Sequence, residues 1–576
     1  MNKSIFSLLQ KTGISVGLAM LAAGWARPTY GGSAQDRPSV SGRGSTEIPP
    51  AIDAIREEAV RKAVSDEGFP LPLTTAWNDG MYHYTGSNRP RGADPAWQLE
   101  QIEKGWRYLP VLVMPEADFD EAKFGDYLYP PFEKLRNYRL PFTLKSPQWE
   151  RHLTNDPEYF NLPLDRNPNV VTPGGETLKR VDPFGPTELW YEVGKKLTDH
   201  PVMARLQQIY PDPPRIIFLS NNEHAKLRWS DAEKSRRYLE KYGTGKSDQF
   251  KRKVVGDAWI EKYRALQQGM RDGLINENWK KNAIFIGYGG DVGMDAMGRW
   301  GGWTAYSLHT PGRFSLAPLM WDGVSPSYYM HNWSSVSDYR VQSNQIEAMN
   351  NVFVLKQAYE INPGFWYELS VWDGDQANKK TGAKPKLTVY REAGQTYDME
   401  RYRGWLQYGL WLLRPRALRL YEGWSAPVER LQGKLEQIRL ITDRVHENAT
   451  LRAYWRKGEL VPNDKDQHPY QSNLPNEVLA QERWFLLDAD VNPERPWKLD
   501  REIPVFSLAL RLGKVPKRSW LVYAHAPLRE YRDVEIRIPQ WQSIKVDVPR
   551  EGAFYEIREA DGSVMKINDQ KSQSIE

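Results

Sequence analysis

Residues Arg215–Trp229 read RIIFLSNNEHAKLRW. Arg215–Ser220 joins β-branched, aromatic and aliphatic side chains with one charge at its front, the composition of a strand buried on both faces. Asn221, Asn222 and Glu223 follow at once. A buried strand that ends in polar groups and runs into a longer segment reads as a βα unit. Outward from this stretch the same texture recurs. Candidate strands precede it at Leu71–Trp77, Leu109–Met114 and Pro141–Leu144, and follow it at Ala283–Tyr288, Ser315–Trp321, Gly364–Leu369 and Arg416–Leu420. Longer amphipathic stretches alternate with them, among them Trp97–Trp106 and Met399–Leu413. With Arg215–Ser220 the set predicts a parallel α/β fold, a (β/α)₈ TIM barrel.

Beyond the last candidate, Ala426–Lys457 reads as one long charged helix and Pro462–Leu474 as a polar, proline-punctuated linker. From about Glu482 the texture changes to short alternating runs: Trp484–Asp488, Val505–Leu510, Trp520–His525, Val534–Ile538, Ile544–Val548 and Ala553–Ile557. Turn residues separate them, which predicts a small C-terminal all-β sandwich domain. The organisation expected is a signal peptide and leader over 1–34, an N-terminal leader and helix over 35–69, the barrel with its C-terminal helix over 70–460, and the β-sandwich over 475–576. A length of 576 residues suits one large and one small core.

The N-terminus carries Lys3, then the apolar run Ile14–Ala26 (ISVGLAMLAAGWA), then small residues at Gly24 and Ala26 and again at Gly32 and Ala34. This is the pattern of a secretory signal peptide, short for a membrane span. The expectation is an exported protein, periplasmic or secreted, with no stable membrane insertion. The chain contains no cysteine, which excludes disulfides, thiolate metal sites and a cysteine nucleophile. Its nine histidines show no metal-ligand spacing, so neither metal nor cofactor is expected. The net charge of +5 is spread out, without the Lys/Arg block that tracks a phosphate backbone, and nucleic acid is not an expected partner. The Gly-rich Tyr288–Gly302 lacks the Lys-Ser/Thr end of a phosphate loop and reads as an active-site loop.

In a parallel barrel, residues at the C-terminal ends of the strands face the active site. Glu223 occupies that position after strand four, with Asn222 beside it. The bland reading is a helix N-cap. Glu368 lies in the aromatic run Asn362–Asp375 (NPGFWYELSVWDGD), at the end of strand seven. A carboxylate among Phe365, Trp366, Tyr367 and Leu369 is costly to bury unless it faces a polar site. The bland reading is an exposed edge glutamate. Two carboxyl groups across a barrel mouth suit glycoside hydrolysis, where one protonates the leaving oxygen and the other acts as nucleophile about 5–5.5 Å away.

On Asn222–Glu223 after strand four and Glu368 at strand seven, the chain resembles the clan A retaining glycoside hydrolases over roughly residues 70–425. The order of barrel then β domain is similar to β-galactosidase and β-agarase relatives. The resemblance implies that Glu223 is the acid/base and Glu368 the nucleophile. It implies that a tyrosine near strand six, Tyr328 or Tyr329, bonds the nucleophile. Trp77, Asp79 and His83 after strand one, Trp321 after strand six and Trp372 after Glu368 are candidate substrate-binding residues. The high aromatic content, 23 Trp and 30 Tyr, serves both cores and sugar-stacking clefts. The expected partner is a carbohydrate substrate, and a β-linked galactan, neutral or, given Arg299, Lys379, Lys380 and Arg391, sulfated, is the substrate the clan analogy suggests. A non-catalytic carbohydrate-binding barrel and a structural surface protein are the alternatives.

Overall fold

The computed structural model describes residues 48–63, 67–76, 95–146, 153–220, 226–287, 317–325, 348, 352, 355–356, 358–372, 398–421, 428–461, 486–492 and 503–568, with the side chains of 428–431 excepted. Eight parallel strands form the central sheet: β1 Leu73–Ala76, β2 Val111–Val113, β3 Phe142–Lys145, β4 Ile216–Ser220, β5 Ala283–Gly287, β6 Gly323–Val324, β7 Trp366–Ser370 and β8 Ala417–Leu420. Neighbours in the sheet are neighbours in the chain, and β8 pairs with β1. The ring closes where Thr74 N–H donates to Arg107 O at 2.9 Å and Leu109 N–H donates to Thr74 O at 2.8 Å. The Thr75 hydroxyl adds a bond to Leu109 O at 2.9 Å. The fold is a (β/α)₈ barrel followed by an all-β region.

Seven of the eight strands overlap their sequence-predicted positions. The sixth does not. Ala317–Met320 is a short helix, and β6 is Gly323–Val324. Two residues of strand, one of them glycine, leave no apolar run to read, and the apolar residues before them pack as helix. A hairpin of Asn169–Val171 and Thr177–Val181 in the connection after β3 was also not anticipated. Its turn is Thr172-Pro-Gly-Gly-Glu176, where Gly175 has a φ of 86° that only glycine adopts without strain. The long helix predicted over Ala426–Lys457 is two helices, α8 Val428–Glu447 and α9 Ala449–Lys457, because Asn448 caps the second through its side chain to Leu451 N–H at 3.0 Å.

The N-terminal mouth of the barrel is closed by α1, Pro50–Val60, which buries Ile52, Ile55 and Ala59. Arg416, just before β8, donates to Glu58 O and Arg61 O, and Arg215, just before β4, donates to Ala59 O. The Glu58 carboxylate is itself buried. It accepts from Leu71 N–H at 2.7 Å and pairs with Arg456 of α9. On the outside of the barrel, α4 Thr187–Thr198 lies against α6 Asp248–Gly273 at backbone contact, since a Cβ on Gly269 would overlap Tyr191 O.

The C-terminal region is two antiparallel sheets. One has five strands, in the order Glu459–Val461, Phe506–Leu512, Ser519–His525, Ala553–Arg558 and Ser563–Ile567; the other has three, Asp488–Ala489, Tyr531–Arg537 and Ser543–Val548. A core of Val505, Ala509, Trp520, Val522, Val534, Ile536 and Val546 lies between them. The opposite face of the five-stranded sheet joins the barrel's core through Phe506, Leu508, Leu510, Leu521, Tyr523 and Phe554. It meets α9 and α7, Met399–Leu413, where Trp411 packs edge-on against Phe554 and Trp455. The two-sided burial explains why Phe506–Leu510 is buried throughout while Ser543–Val548 alternates. Among the described residues no helix is long and apolar enough to cross a membrane.

Two stability tests follow from this packing. Arg456→Met removes the closer of the two guanidinium groups that pair with the buried Glu58, Arg61 Nε remaining 3.5 Å away, and denaturant unfolding is expected to show a loss of about 1–3 kcal/mol. Gly269→Ala forces α4 and α6 apart and is expected to lose about 1–3 kcal/mol in the same measurement. Unchanged midpoints would mean that the mouth and the helix pair relax around these changes.

Candidate active site in the barrel lumen

Side chains alternate along a strand, and register fixes which of them share a face. Thr74 bonds Thr442 of α8, Leu369 packs on α7 at Gly409, and Phe285 lies under Arg271 of α6. That parity therefore points out to the helices. The other parity points into the lumen. On β7 it comprises Trp366, Glu368 and Ser370; on β8, Ala417 and Arg419, in register with Glu368 and Ser370; on β1, Thr75, in register with Arg419.

Glu368 is 2% exposed. Its Oε2 accepts the Ser325 hydroxyl at 2.6 Å and its Oε1 accepts the Trp366 indole N–H at 3.0 Å. The Arg419 guanidinium, fully buried, stands 3.6 Å from Oε2. Burial pushes the Glu368 carboxyl above the usual carboxylate range; Arg419, then Ser325 and Trp366, pull it back. Among the described residues the polar groups that contact it are two donors and a cation, and each favours the anion. The two hydrogen bonds leave part of the acceptor capacity of a carboxylate open.

The column above and below Glu368 is aromatic. Trp366 lies beneath it, with Arg416 over its ring at 5.1 Å, on the side closed by α1. Gly323, in register with Trp366, lets the two strands approach, since any Cβ there would overlap the Trp366 carbonyl oxygen and Cβ. Towards the C-terminal mouth, Trp372 and Tyr421 continue the inward parity of β7 and β8. Their rings meet edge to face with centroids 5.2 Å apart. Tyr402 of α7 donates to Val371 O at 2.8 Å and fixes the chain between Glu368 and Trp372.

Of the residues singled out in the sequence, the lumen brings together Glu368 and Trp372. Trp321 lies elsewhere. It precedes β6 instead of following it, and its buried ring packs on Tyr263 of α6 at 4.8 Å, a helix-packing position. Asp322 bonds the backbone of Phe285 at the same end of the barrel. Glu223, Asn222, Trp77, Asp79, His83, Tyr328 and Tyr329 lie outside the described residues. Sequence reading missed Arg419, Ser325 and Tyr421. Arg419 carried a signal, because a guanidinium inside an apolar strand, RALRL, needs a buried anion. Ser325 carried none once strand six was set too early in the chain. Among the described residues no cluster of His, Asp or Glu forms a metal site.

No family model matches the chain, and no curated protein matches it in sequence. Among solved structures it is similar to a cyclic α-maltosyl-(1→6)-maltose hydrolase of Arthrobacter globiformis in its ligand-free form. The match has 10% identity and a TM-score of 0.29 over 84% of this chain and 98% of that one. It is also similar to a doubly substituted GH36 α-galactosidase of Geobacillus stearothermophilus in complex with stachyose. Here the identity is 10% and the TM-score 0.37, over 88% of this chain and 57% of that one. At those scores the functional reading rests on the geometry of this chain's own lumen.

Proposed function

We propose that the protein is an exported retaining glycoside hydrolase, with Glu368 as nucleophile and Glu223 as acid/base. The observation that carries the reading is Glu368 itself: a carboxylate on the inward face of β7, held by Ser325, Trp366 and Arg419 inside a barrel whose N-terminal mouth is shut. Barrel active sites lie at the opposite mouth. In the first step Glu223 gives its proton to the glycosidic oxygen as the C–O bond breaks, and Glu368 forms an ester with the anomeric carbon. In the second, Glu223 takes a proton from water, whose oxygen displaces Glu368 and leaves the sugar with its original configuration. Arg419, Ser325 and Trp366 orient the nucleophile and stabilise its charge when it is released. Trp372 and Tyr421, both buried, complete the aromatic lining between Glu368 and the C-terminal mouth. β-Linked galactans, neutral and sulfated, are the first substrates to offer.

The test is reducing-end release by the purified protein across a panel of neutral and sulfated polysaccharides. Glu223→Gln is expected to lower release by about 10²–10⁴-fold on the substrate found. Glu368→Ala is expected to fall to background and to regain turnover with azide, giving a glycosyl azide of configuration opposite to the substrate. Full activity in Glu368→Ala would sink the assignment. Ser325→Ala removes a donor to the anion, so the Glu368 carboxyl rises further. The acidic limb of the kcat/KM profile, which reports the ionised nucleophile in the free enzyme, is expected to move to higher pH. A limb that stays in place would mean that Glu368 is not the group titrating there.

A further inference from the structure

Three consecutive residues of the hairpin after β3 each grip a different point of the chain after β4. Arg180 donates to Asp231 Oδ2 at 2.8 Å. Val181 bridges Lys226, and its carbonyl accepts Leu227 N–H at 2.9 Å. Asp182, fully buried, accepts the Ser235 hydroxyl at 2.7 Å and Arg237 Nη1 at 3.1 Å. Arg237 then donates to three backbone carbonyls of the same excursion: Asn169 at 3.1 Å, Asn167 at 2.5 Å and Leu164. One guanidinium thus ties the hairpin's root to its last strand and both to the helix Arg236–Tyr242. On the other side, β4 is held to its end, with Ser220 in register with Gly287 and Leu219 O accepting Ser146 N–H at 2.9 Å.

The chain between these two anchors, from Ser220 to Lys226, contains Asn222 and Glu223. A packing role alone does not require a buried ion pair. Desolvating Asp182 and Arg237 is unfavourable unless geometry is gained, and fixing register is the best-attested use of buried polar groups in general. We propose that Arg180, Asp182 and Arg237 are positioning residues for the proton-donating step: the hairpin holds the chain just beyond Glu223, so that the acid meets the glycosidic oxygen. The inference rests on Glu223 being the acid. Protonation of a leaving group loses its benefit steeply when the donor is displaced by a fraction of an ångström to an ångström.

Leaving-group chemistry separates this role from a merely structural one. A 2,4-dinitrophenyl glycoside of the hydrolysed sugar departs without protonation, whereas the natural oligosaccharide needs it. The experiment compares kcat/KM, which reports the bond-breaking step, on both substrates for Arg180→Ala and Arg237→Lys, with Glu223→Gln beside them and thermal unfolding to verify folding. Arg180 is partly exposed, so its removal leaves a folded protein even if Arg237→Lys does not. The expected result is a loss of about tenfold on the oligosaccharide and a change within roughly twofold on the dinitrophenyl glycoside. Equal losses on the two substrates, or none on either, would overturn the positioning role. If Glu223→Gln shows the selective loss and the hairpin variants do not, this inference alone fails. If Glu223→Gln shows no selective loss, the acid assignment fails and the inference falls with it.

Discussion

A guanidinium with no exposure inside a closed barrel must meet an anion, and Arg419 meets Glu368. This one pairing constrains much else. It requires that β7 and β8 run in the register that sets Glu368 opposite Ala417 and Ser370 opposite Arg419, because a slip of one residue would turn one partner out to the helices. Its burial depends on the closure of β1 on Arg107–Leu109 and on α1 at the N-terminal mouth. It also explains the hydroxyl of Ser325 and the indole of Trp366, each of which gives one hydrogen bond to an oxygen of the buried carboxylate.

The β domain belongs mechanically to the same constraint. Helix α7 is buried almost all round. On one side it backs β7, with Leu369 against Gly409 and the Tyr402 hydroxyl on Val371 O. On the other it is held by the five-stranded sheet and its loops: Tyr523 donates to Gly404 O, Arg550 pairs with Asp398 and Glu400, and Arg403 pairs with Glu551. The strand that carries Glu368 is thus clamped between its lumen partners and a helix that the second domain fixes from outside. An aromatic and ionic interface of this kind has little freedom to slide.

The barrel was legible in the sequence because buried parallel strands are continuous apolar runs, and the runs at Arg215–Ser220 and Ala283–Tyr288 stand out against charged helices. The sixth strand was not legible, since Gly323–Val324 owes its place to the flanking Asp322 and Ser325, whose N–H groups donate to the carbonyls of Phe285 and Gly287, and to Trp366 N–H, which donates to Asp322 O, and to no pattern of its own. The hairpin after β3 is polar and short, and its support from Arg237 crosses some seventy positions of chain, which no local window sees. In the site, Glu368 was found because a lone acid in an aromatic strand is anomalous. Trp321 was misplaced by the same error that moved strand six. Arg419 and Ser325 emerge only with register, a property of two strands and not of one.

The charge state of Glu368 follows from the balance around it. Burial favours the neutral acid, and Arg419, Ser325 and Trp366 favour the anion, with burial the larger. A sugar whose anomeric carbon gains positive charge adds a fourth influence, and it acts on the side of the anion. The donors are in place before that charge appears, so they need not reorganise when it does. A carboxylate held by these donors and a cation stabilises a developing oxocarbenium more than it stabilises a neutral sugar, because the anion is the form that the oxocarbenium needs. Differential stabilisation of this kind is what accelerates a reaction, as opposed to binding its substrate.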